Sequence, residues 1–313
     1  MMFPPPPRYR HSGSINFKSG PQLYWGKDIV TCYMSDNMII IKKFLRRLFD
    51  EFEWARLWFC SWMYYRKPSV GEMNEKPQGD FCDLATVAFN NARVIEYQIR
   101  TLRKFFTFPY RHTVFDNSTN DIIANEIKTI CLKYGTGYIR LPKQDFIRVG
   151  QGSYSHGVAC NYLYKRFLQS GGGKYFGLLD HDIFPIESFD VSIFLEKQFF
   201  YGLRHRFYIW PGFFFVRMKE AAQKNLDFRP SLWLRGDTGA CNAYSLFKGI
   251  DFVRYELVSE EKRNFTQEGD IFDNGYSYFS CGWVHCWNAS NYMGKNIDKK
   301  MERMFCLLEE ELF

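Results

Sequence analysis

Short apolar runs alternate with amphipathic segments from Asp80 onward, and this alternation constrains the fold more than any other feature. Apolar runs bounded by Asn, Asp or Gly predict β-strands at residues 84–89, 111–115, 138–141 and 175–179. Apolar residues at three- and four-residue spacing predict helices between them, at residues 92–106, 121–133 and 155–169. This alternation is typical of an α/β domain with a mostly parallel central sheet, which binds ligands at the carboxyl ends of its strands.

The sequence before residue 80 has a different composition. Its segments are a loose arm rich in Pro, Gly, Ser and Asn, a predicted amphipathic helix, and a linker, at residues 1–37, 38–65 and 67–79. We therefore divide the chain into an N-terminal helical extension, an α/β domain and a C-terminal helix, with limits at 1–79, 80–293 and 294–313.

The predicted helix at 38–65 contains an apolar stripe with basic residues between its members, which are Phe44, Leu48, Phe52, Ala55 and Phe59. Such a stripe favours docking of the helix on the main domain. A helix that is basic on one face and rich in Trp and Phe on the other is also typical of the membrane interface. A docked helix and a peripheral membrane contact both remain open at this point.

Charge and cysteine content limit the classes of function. The net charge is +7, but the sequence has no zinc-finger or RNA-binding signature, so nucleic acid is not an expected partner. Nine cysteines without CxxC pairs argue against a disulfide framework and a structural zinc site, and they fit a reducing compartment. No apolar run reaches the roughly 18–20 residues that span a bilayer, and the first residues contain no apolar signal core. We predict a cytoplasmic protein whose membrane contact, where it has one, is peripheral and on the inner face.

The strongest chemical signal is the motif Asp180-His181-Asp182, which directly follows the predicted strand at 175–179. Two carboxylates two residues apart at a strand end can bind one divalent cation. The same cation can bind the phosphate oxygens of a nucleotide diphosphate and neutralise their charge. The motif therefore predicts a site that uses Mn²⁺ or Mg²⁺.

From about Asp83 to Asn291 the chain resembles a glycosyltransferase of the GT-A fold, close in pattern to the family 2 type. Four segments carry the resemblance: TVAFNN at 86–91, VFDNSTND at 114–121, GVACN at 157–161 with YFGLLDHD at 175–182, and VHCWNASN at 284–291. The resemblance implies a Rossmann-like α/β fold with a mixed central sheet. It also implies transfer of a sugar, with inversion, from a nucleotide-diphosphate donor to a hydroxyl of a glycan or a lipid-linked saccharide.

The resemblance assigns roles to individual residues. The nucleoside side of the donor site would be formed by Thr86, Ala88, Asn90 and Asp116. The diphosphate side would be formed by His156, Asn161 and Asp180. The metal ligands would be Asp180, Asp182 and His285. Contacts to phosphate or acceptor would come from Asn288, Ser290, Asn291, Trp210 and Phe213.

Each of these residues also has a purely structural interpretation. The residues from Thr86 to Asn90 would then form an ordinary strand end, and Asp116 would form a short Asx turn. Asn161 would bond the backbone of a neighbouring loop, and His285 would be a structural histidine bonded to backbone.

Inversion requires a base that accepts the proton of the attacking hydroxyl, and Asp237 is the predicted base. Family 2 enzymes often have Glu-Asp in this region, whereas this chain has Gly-Asp-Thr-Gly, which is also typical of a turn. Two other functions remain open: a nucleotidyltransferase, and a non-catalytic sugar- or membrane-binding module. A nucleotidyltransferase usually opens with a Gly-rich loop carrying Arg or Lys, which residues 86–92 lack.

Overall fold

The computed structural model describes residues 36–148, 150–266, 274–287, 289 and 297–312. Two compact units divide the chain, Met1–Phe52 and Glu53–Phe313. The described part of the first unit is helical. The predicted loose arm lies almost wholly outside the described residues, and the domain limits at residues 79 and 293 stay a prediction.

The helices and strands have the following limits. The helices are α1 (Asp36–Tyr64), α2 (Ala92–Phe105), α3 (Asp121–Lys133), α4 (Gly152–Leu163), α5 (Ser192–Leu195), α6 (Met218–Ala221), α7 (Asn242–Ser245) and α8 (Ile297–Leu312). A π-helical turn, Tyr164–Leu168, continues α4, and a 3₁₀ turn covers Phe252–Arg254. The strands are β1 (Val70–Glu72), β2 (Cys82–Ala88), β3 (Tyr110–Asp116), β4 (Gly137–Arg140), β5 (Tyr175–Asp180), β6 (Ile183–Pro185), β7 (Phe200–His205), β8 (Tyr208–Arg217), β9 (Glu260–Asn264), β10 (Gly275–Phe279) and β11 (Trp283–His285).

Within the described residues, seven strands form the central sheet in the order β1-β4-β3-β2-β5-β8-β7. The pairs β4–β3, β3–β2 and β2–β5 are parallel, and the pairs β1–β4, β5–β8 and β8–β7 are antiparallel. Ile95 of α2 and Ile127 of α3 pack with Ala88, whereas Val158 of α4 packs with Val87. Because successive strand residues point to opposite faces, helices cover both faces of the sheet. The predicted α/β architecture with a mixed central sheet is confirmed, and the parallel pairs lie together at its centre.

Asparagine side chains set where the first two helices of the α/β domain begin. Asn91 accepts a hydrogen bond from the amide of Val94 and caps α2, and Asn120 caps α3 in the same way through the amide of Ile122. An N-terminal cap satisfies amides that have no partner inside the helix. The chain therefore turns sharply at the carboxyl ends of β2 and β3.

A second, antiparallel sheet packs beside the first and was not predicted from the sequence. In the part of the chain that the structure describes, its four strands have the order β6-β11-β10-β9. The pairing of β6 with β11 sets Ile183 opposite His285. This sheet therefore connects the end of β5 to a segment far along the sequence.

Aromatic residues fill the core between the two sheets. Phe189 lies at the centre, with its ring 5.3 Å from that of Trp283 and 5.7 Å from that of Phe106. Phe213 and Trp283 are fully buried, with ring centroids 5.0 Å apart in an edge-to-face arrangement. The phenylalanines of this layer therefore serve packing.

The buried face of α1 differs from the predicted one. Leu57, Ser61 and Tyr64 are buried, and the hydroxyl of Tyr64 donates to the carbonyl of Pro142 at 3.1 Å. The predicted docking stripe is wrong where it lies in the second unit, because Phe59 is 56% exposed. Ala55 is exposed too, whereas the side chains of Phe44 and Leu48 lie outside what the structure describes. No described helix is both long and apolar enough to cross a membrane.

Gly157 allows α4 to approach the loop that follows β8. A Cβ atom at Gly157 would lie 2.5 Å from the carbonyl oxygen of Phe228 and 2.9 Å from the Cα of Arg229. One turn later, the side chain of Asn161 accepts a hydrogen bond from the amide of Phe228 at 2.9 Å. The helix and the loop therefore meet backbone to backbone.

We predict that Gly157→Ala destabilises the protein by about 1–3 kcal/mol, because the backbone of the loop cannot move aside as a flexible side chain would. The measurement is urea unfolding followed by circular dichroism. Gly152→Ala in the same helix is the control, since a Cβ there meets no atom within 4 Å. Equal midpoints for the two variants would contradict the prediction.

Candidate active site

Asp180 and Asp182 lie on the tight turn that joins the two sheets. Asp180 is the last residue of β5, and β6 begins at Ile183 directly after Asp182. β5 runs parallel to β2, and Asp180 pairs in register with Val87. The turn therefore lies at the carboxyl edge of the parallel strands, where ligands bind such sheets.

The pairing of β6 with β11 brings His285 to Asp182. Nε2 of His285 lies 3.4 Å from Oδ1 of Asp182, and the amide of Ala289 donates to Oδ2 at 3.3 Å. Burial favours the neutral acid, but the charge and hydrogen bond of His285 outweigh burial and lower the pKa of Asp182 to about 2. Asp182 is therefore a carboxylate in contact with an imidazole.

His156 of α4 approaches the other carboxylate of the turn. Its Nε2 lies 3.2 Å from Oδ1 of Asp180, but this buried oxygen accepts no hydrogen bond from any described residue. Burial raises the pKa of Asp180. Burial alone would lower the pKa of His156, but attraction to Cys160 and Asp180 outweighs it and raises that pKa to about 10. Among the described residues, this oxygen of Asp180 is therefore close to the imidazole of His156 but accepts no hydrogen bond.

The donor groups at the turn fit a divalent cation. Carboxylate oxygens suit Mg²⁺ and Mn²⁺, an imidazole nitrogen tilts the preference toward Mn²⁺, and Oδ1 of Asp180 has no hydrogen bond to lose. Among the described residues, however, no three His, Cys, Asp or Glu side chains are grouped closely enough to hold a metal together. Of the three predicted ligands, Asp182 and His285 contact each other, whereas the imidazole beside Asp180 is that of His156, which was not predicted to bind metal. The set Asp180, Asp182 and His285 stays a prediction.

Three residues predicted to line the nucleoside pocket lie at or just beyond the end of β2. Thr86 and Ala88 are fully buried, and the Thr86 hydroxyl donates to Oε1 of Gln98 at 2.8 Å. Asn90 has a left-handed backbone, with φ of 48°, and its Oδ1 accepts from the amide of Thr119 at 3.0 Å. The side chains of Thr86 and Asn90 thus bond within the protein, so a nucleoside contact by this segment would use backbone groups.

Asp116, also predicted to bind the nucleoside, is fully buried with both carboxylate oxygens bonded. Oδ1 accepts from the amide of Ser118 at 2.9 Å, which forms the Asx turn. Oδ2 accepts from the hydroxyl of Tyr138 at 2.8 Å and lies 3.0 Å from the guanidinium of Arg140. A nucleoside contact by this carboxylate would require these bonds to break.

Asn161, predicted to contact the diphosphate, instead bonds the loop beside α4. Its Nδ2 donates to Asp227 at 2.9 Å and to the hydroxyl of Tyr65 at 3.1 Å, and its Oδ1 accepts from the amide of Phe228. The residue is 1% exposed. The observed bonds agree with the structural interpretation of Asn161, in which its side chain bonds a neighbouring loop.

Asp237, the predicted base, is exposed in the turn that the sequence suggested. Its Oδ1 accepts from the amide of Thr238 at 2.7 Å. Its negative charge favours protonation of both His156 and His205, so both imidazoles lie within electrostatic reach of Asp237. The pKa of His205 is nevertheless lowered, because burial dominates. Sequence reasoning did not identify His205 as part of this region.

The residues predicted to contact phosphate or the acceptor have different positions in the structure. The ring of Trp210 lies 5.1 Å from that of His285, so it borders the turn, although only 9% of Trp210 is exposed. Phe213 is fully buried and offers no face to a sugar, because the core between the sheets needs its volume. Three predicted residues fall outside the described part of the chain: Asn288, Ser290 and Asn291.

Sequence reasoning also missed Gln98, which bonds directly to the turn. Its Nε2 donates to the carbonyl of Asp180 at 2.7 Å and to the carbonyl of Ile183 at 3.0 Å. The available signal was a glutamine on the apolar stripe of α2, where Ile95 and Leu102 are buried. A buried polar side chain must find hydrogen-bond partners.

Comparisons with known proteins give no family. No protein-family model matches this chain, and no curated protein matches it. The family 2 resemblance therefore stays a hypothesis.

Three solved structures show weak similarity. Mannosyltransferase PcManGT from Pyrobaculum calidifontis in complex with GDP-Man and Mn²⁺ has 10% identity and a TM-score of 0.33, with 55% of each chain covered. The mannosyltransferase Ktr4p from S. cerevisiae has 15% identity and a TM-score of 0.24, with 49% of this chain and 48% of that chain covered. Ktr4p in complex with GDP has 12% identity and a TM-score of 0.25, with 84% and 72% covered. The chain spans about half the length of the first two, and likeness at this level supports no further conclusion.

We predict that Asp116→Asn lowers the free energy of unfolding by about 2–3 kcal/mol, because a buried charged acceptor of three contacts is lost. Asp121→Asn is the control. Asp121 also pairs with Arg140, at 3.2 Å, but its side chain is 68% exposed, so its loss should cost less than about 1 kcal/mol. Urea unfolding of both variants measures the difference, and comparable small losses would show that the bonds of Asp116 do little for the fold.

Proposed function

We propose that this chain is a metal-dependent glycosyltransferase of the GT-A fold and the family 2 type. It transfers a sugar, with inversion, from a nucleotide-diphosphate donor to a hydroxyl of a glycan or a lipid-linked saccharide. One observation carries the proposal: two carboxylates occupy one turn at the carboxyl edge of the sheet, with His285 3.4 Å from Asp182. Oδ1 of Asp180, which is buried and accepts no hydrogen bond from a described residue, supports the same assignment.

In the proposed site, Asp180, Asp182 and His285 hold Mn²⁺ or Mg²⁺. The bound cation would neutralise the diphosphate as it leaves the sugar. Asp237 accepts the proton of the acceptor hydroxyl.

The remaining assignments are proposed contacts to substrate. The backbone from Thr86 to Asn90 borders the nucleoside, and His156 faces the diphosphate. The segment after β11 completes the phosphate and acceptor side through Asn288, Ser290 and Asn291. Trp210 on β8 borders the same side.

A binding module without turnover is the second candidate, and a specific observation favours it. Asp116 and Thr86, which the resemblance assigns to the nucleoside, have their polar atoms bonded inside the protein. Such a module would bind a sugar or a membrane, would keep nucleotide affinity only through other groups, and would release no product. A turnover assay therefore separates the two candidates.

We predict metal-dependent release of one nucleoside diphosphate when purified protein is screened against nucleotide-sugars with Mn²⁺, Mg²⁺ or EDTA. Slow hydrolysis of the donor requires no acceptor. Asp182→Asn should reduce this release by at least about 100-fold, because several kcal/mol of charge stabilisation at the leaving group is lost. The control is Asp145→Asn, at an aspartate with a 78% exposed side chain.

The same screen tests the base, because water takes the place of the acceptor hydroxyl in donor hydrolysis. Asp237→Asn should leave Mn²⁺ binding and donor binding intact while this hydrolysis falls by about 10²–10⁴-fold. Full activity of Asp182→Asn would remove the metal assignment. Nucleotide binding without release from any donor would favour the binding module.

We also propose that α1 attaches the protein to an anionic bilayer at the inner face of a membrane. Within the second unit, α1 exposes large apolar side chains at Trp54, Trp58, Phe59, Trp62 and Met63, which we call the aromatic face. The guanidinium of Arg66 lies 3.3 Å from the ring centroid of Trp62. Tryptophan beside exposed basic groups is typical of helices at the membrane interface, where the rings enter the headgroup layer and the cations meet lipid phosphates.

We predict that the protein sediments with vesicles of phosphatidylserine and phosphatidylcholine, and more weakly with phosphatidylcholine alone. Trp58→Ala combined with Phe59→Ala should weaken binding at least tenfold, since each buried ring contributes about 1.5–3 kcal/mol. Leu232→Ala with Trp233→Ala is the control, because these residues are 53% and 63% exposed on a loop. Unchanged binding in the α1 variant would contradict the proposal. A change of oligomeric state without lipid would identify the aromatic face as a protein interface instead.

A further inference from the structure

A row of three buried polar side chains crosses the apolar layer between α2 and the central sheet. Its members are His112 on β3, Thr86 on β2 and Gln98 on α2. Thr86 and Gln98 are fully buried, and His112 is 5% exposed. Nε2 of His112 lies 3.0 Å from Oγ1 of Thr86, which lies 2.8 Å from Oε1 of Gln98. The row ends at the carbonyls of Asp180 and Ile183, which Gln98 bonds.

The chemistry of these groups fixes the direction of every hydrogen bond in the row. Carbonyl oxygens only accept, so the amide nitrogen of Gln98 donates to Asp180 and Ile183, and its oxygen is left as an acceptor. Thr86 has one hydroxyl proton and gives it to Gln98, so Oγ1 must accept from Nε2–H of His112. Burial lowers the pKa of His112 to about 3, so this ring is neutral with its proton on Nε2.

The bonds of Gln98 hold both ends of the turn that carries the two carboxylates. Asp180 begins the turn, and Ile183 follows Asp182. Since one planar amide bonds both carbonyls, it limits how far they can separate. The amide of Cys286 donates to the carbonyl of Asp182 at 2.9 Å and holds the middle of the turn. The backbone between the carboxylates is therefore held from α2 and from the segment after β11.

We propose that Gln98 is a positioning residue that sets the spacing of Asp180 and Asp182, and that Thr86 and His112 hold its amide in the required orientation. This inference rests on the proposed function, because it gives that spacing a purpose in metal binding. It gives the side chain of Thr86 a role behind the turn, where it orients the glutamine, and leaves only the backbone of Thr86 to border the nucleoside.

A purely structural role for Gln98 and a positioning role predict different effects of its substitution. Any buried glutamine with three hydrogen bonds stabilises the fold, so a loss of stability on substitution distinguishes nothing. A positioning role also requires that the turn loosens and that metal affinity falls beyond what lost stability explains. Partners in the outer shell of a metal site typically change affinity by about 10–100-fold.

The test compares Gln98→Met, which keeps the length and removes all three bonds, with Thr101→Val. Thr101 is also buried on α2, but its hydroxyl bonds only carbonyls of its own helix, those of Tyr97 and Gln98. The dissociation constant for Mn²⁺ is measured from the electron paramagnetic resonance signal of the free ion. Gln98→Met should raise it by about 10–100-fold, and Thr101→Val should leave it within about twofold. Thr86→Val should have a smaller effect, since Gln98 keeps its bonds to the turn.

Hydrogen exchange of the peptide that covers Asp180–Pro185 provides a readout that does not depend on the proposed function. Exchange there should accelerate in Gln98→Met and not in Thr101→Val, compared under conditions in which both variants are folded. If wild type binds no Mn²⁺ and releases no nucleoside diphosphate, the proposed function fails, while this exchange still tests whether Gln98 positions the turn. Normal Mn²⁺ affinity and normal exchange in Gln98→Met would overturn the inference.

Discussion

The pairing of β6 with β11 is the interaction on which the candidate site depends. It joins the small sheet to the end of β5 and sets His285 opposite Ile183. Because side chains alternate between the two faces of a strand, a slip of one residue would turn the imidazole away from Asp182. The aromatic core between the sheets makes such a slip costly, since Trp283 and Val284 are fully buried on the same short strand. Register and core packing thus specify one arrangement of the carboxylate and the imidazole.

Hydrogen bonding in the interior explains why several polar residues near the site do not face a ligand. Asp116, Asn161 and Thr86 lie at strand ends or helix faces that point into the protein, and each has partners there. A buried polar atom without a partner costs free energy, so the fold supplies one. Oδ1 of Asp180 is the exception at this turn, since no described residue donates to it. Asp116, Asn161 and Thr86 therefore stabilise the protein around the site, whereas Oδ1 of Asp180 can accept a bond from a ligand.

The strands and helices of the α/β domain were predictable because their signals are local. Spacing of apolar residues located β2 to β5 and the helices between them, and the position of Asp180 after β5 followed directly. The face by which α1 docks was not predictable, because its C-terminal half carries aromatic residues on several sides and α4 decides which side is buried. The small sheet was missed because β6 and β11 have three residues each and find each other only in the folded chain. For the same reason sequence patterns could not distinguish an Asx turn at Asp116 from a nucleoside contact.

The contacts of Asp182 with the segment after β11 are expected to form later in folding than the central sheet. Asp182 and Ala289, which share a hydrogen bond, are 107 positions apart, whereas the parallel strands β2 and β3 are joined by a single helix. Contacts between distant parts of a chain form more slowly, because closing the longer loop costs more conformational entropy. The central sheet can therefore assemble while the carboxylate still lacks its imidazole. During synthesis, a chain that has emerged only as far as β8 contains every described strand of the central sheet but not yet His285, so the contact between Asp182 and His285 can form only after that sheet is able to assemble.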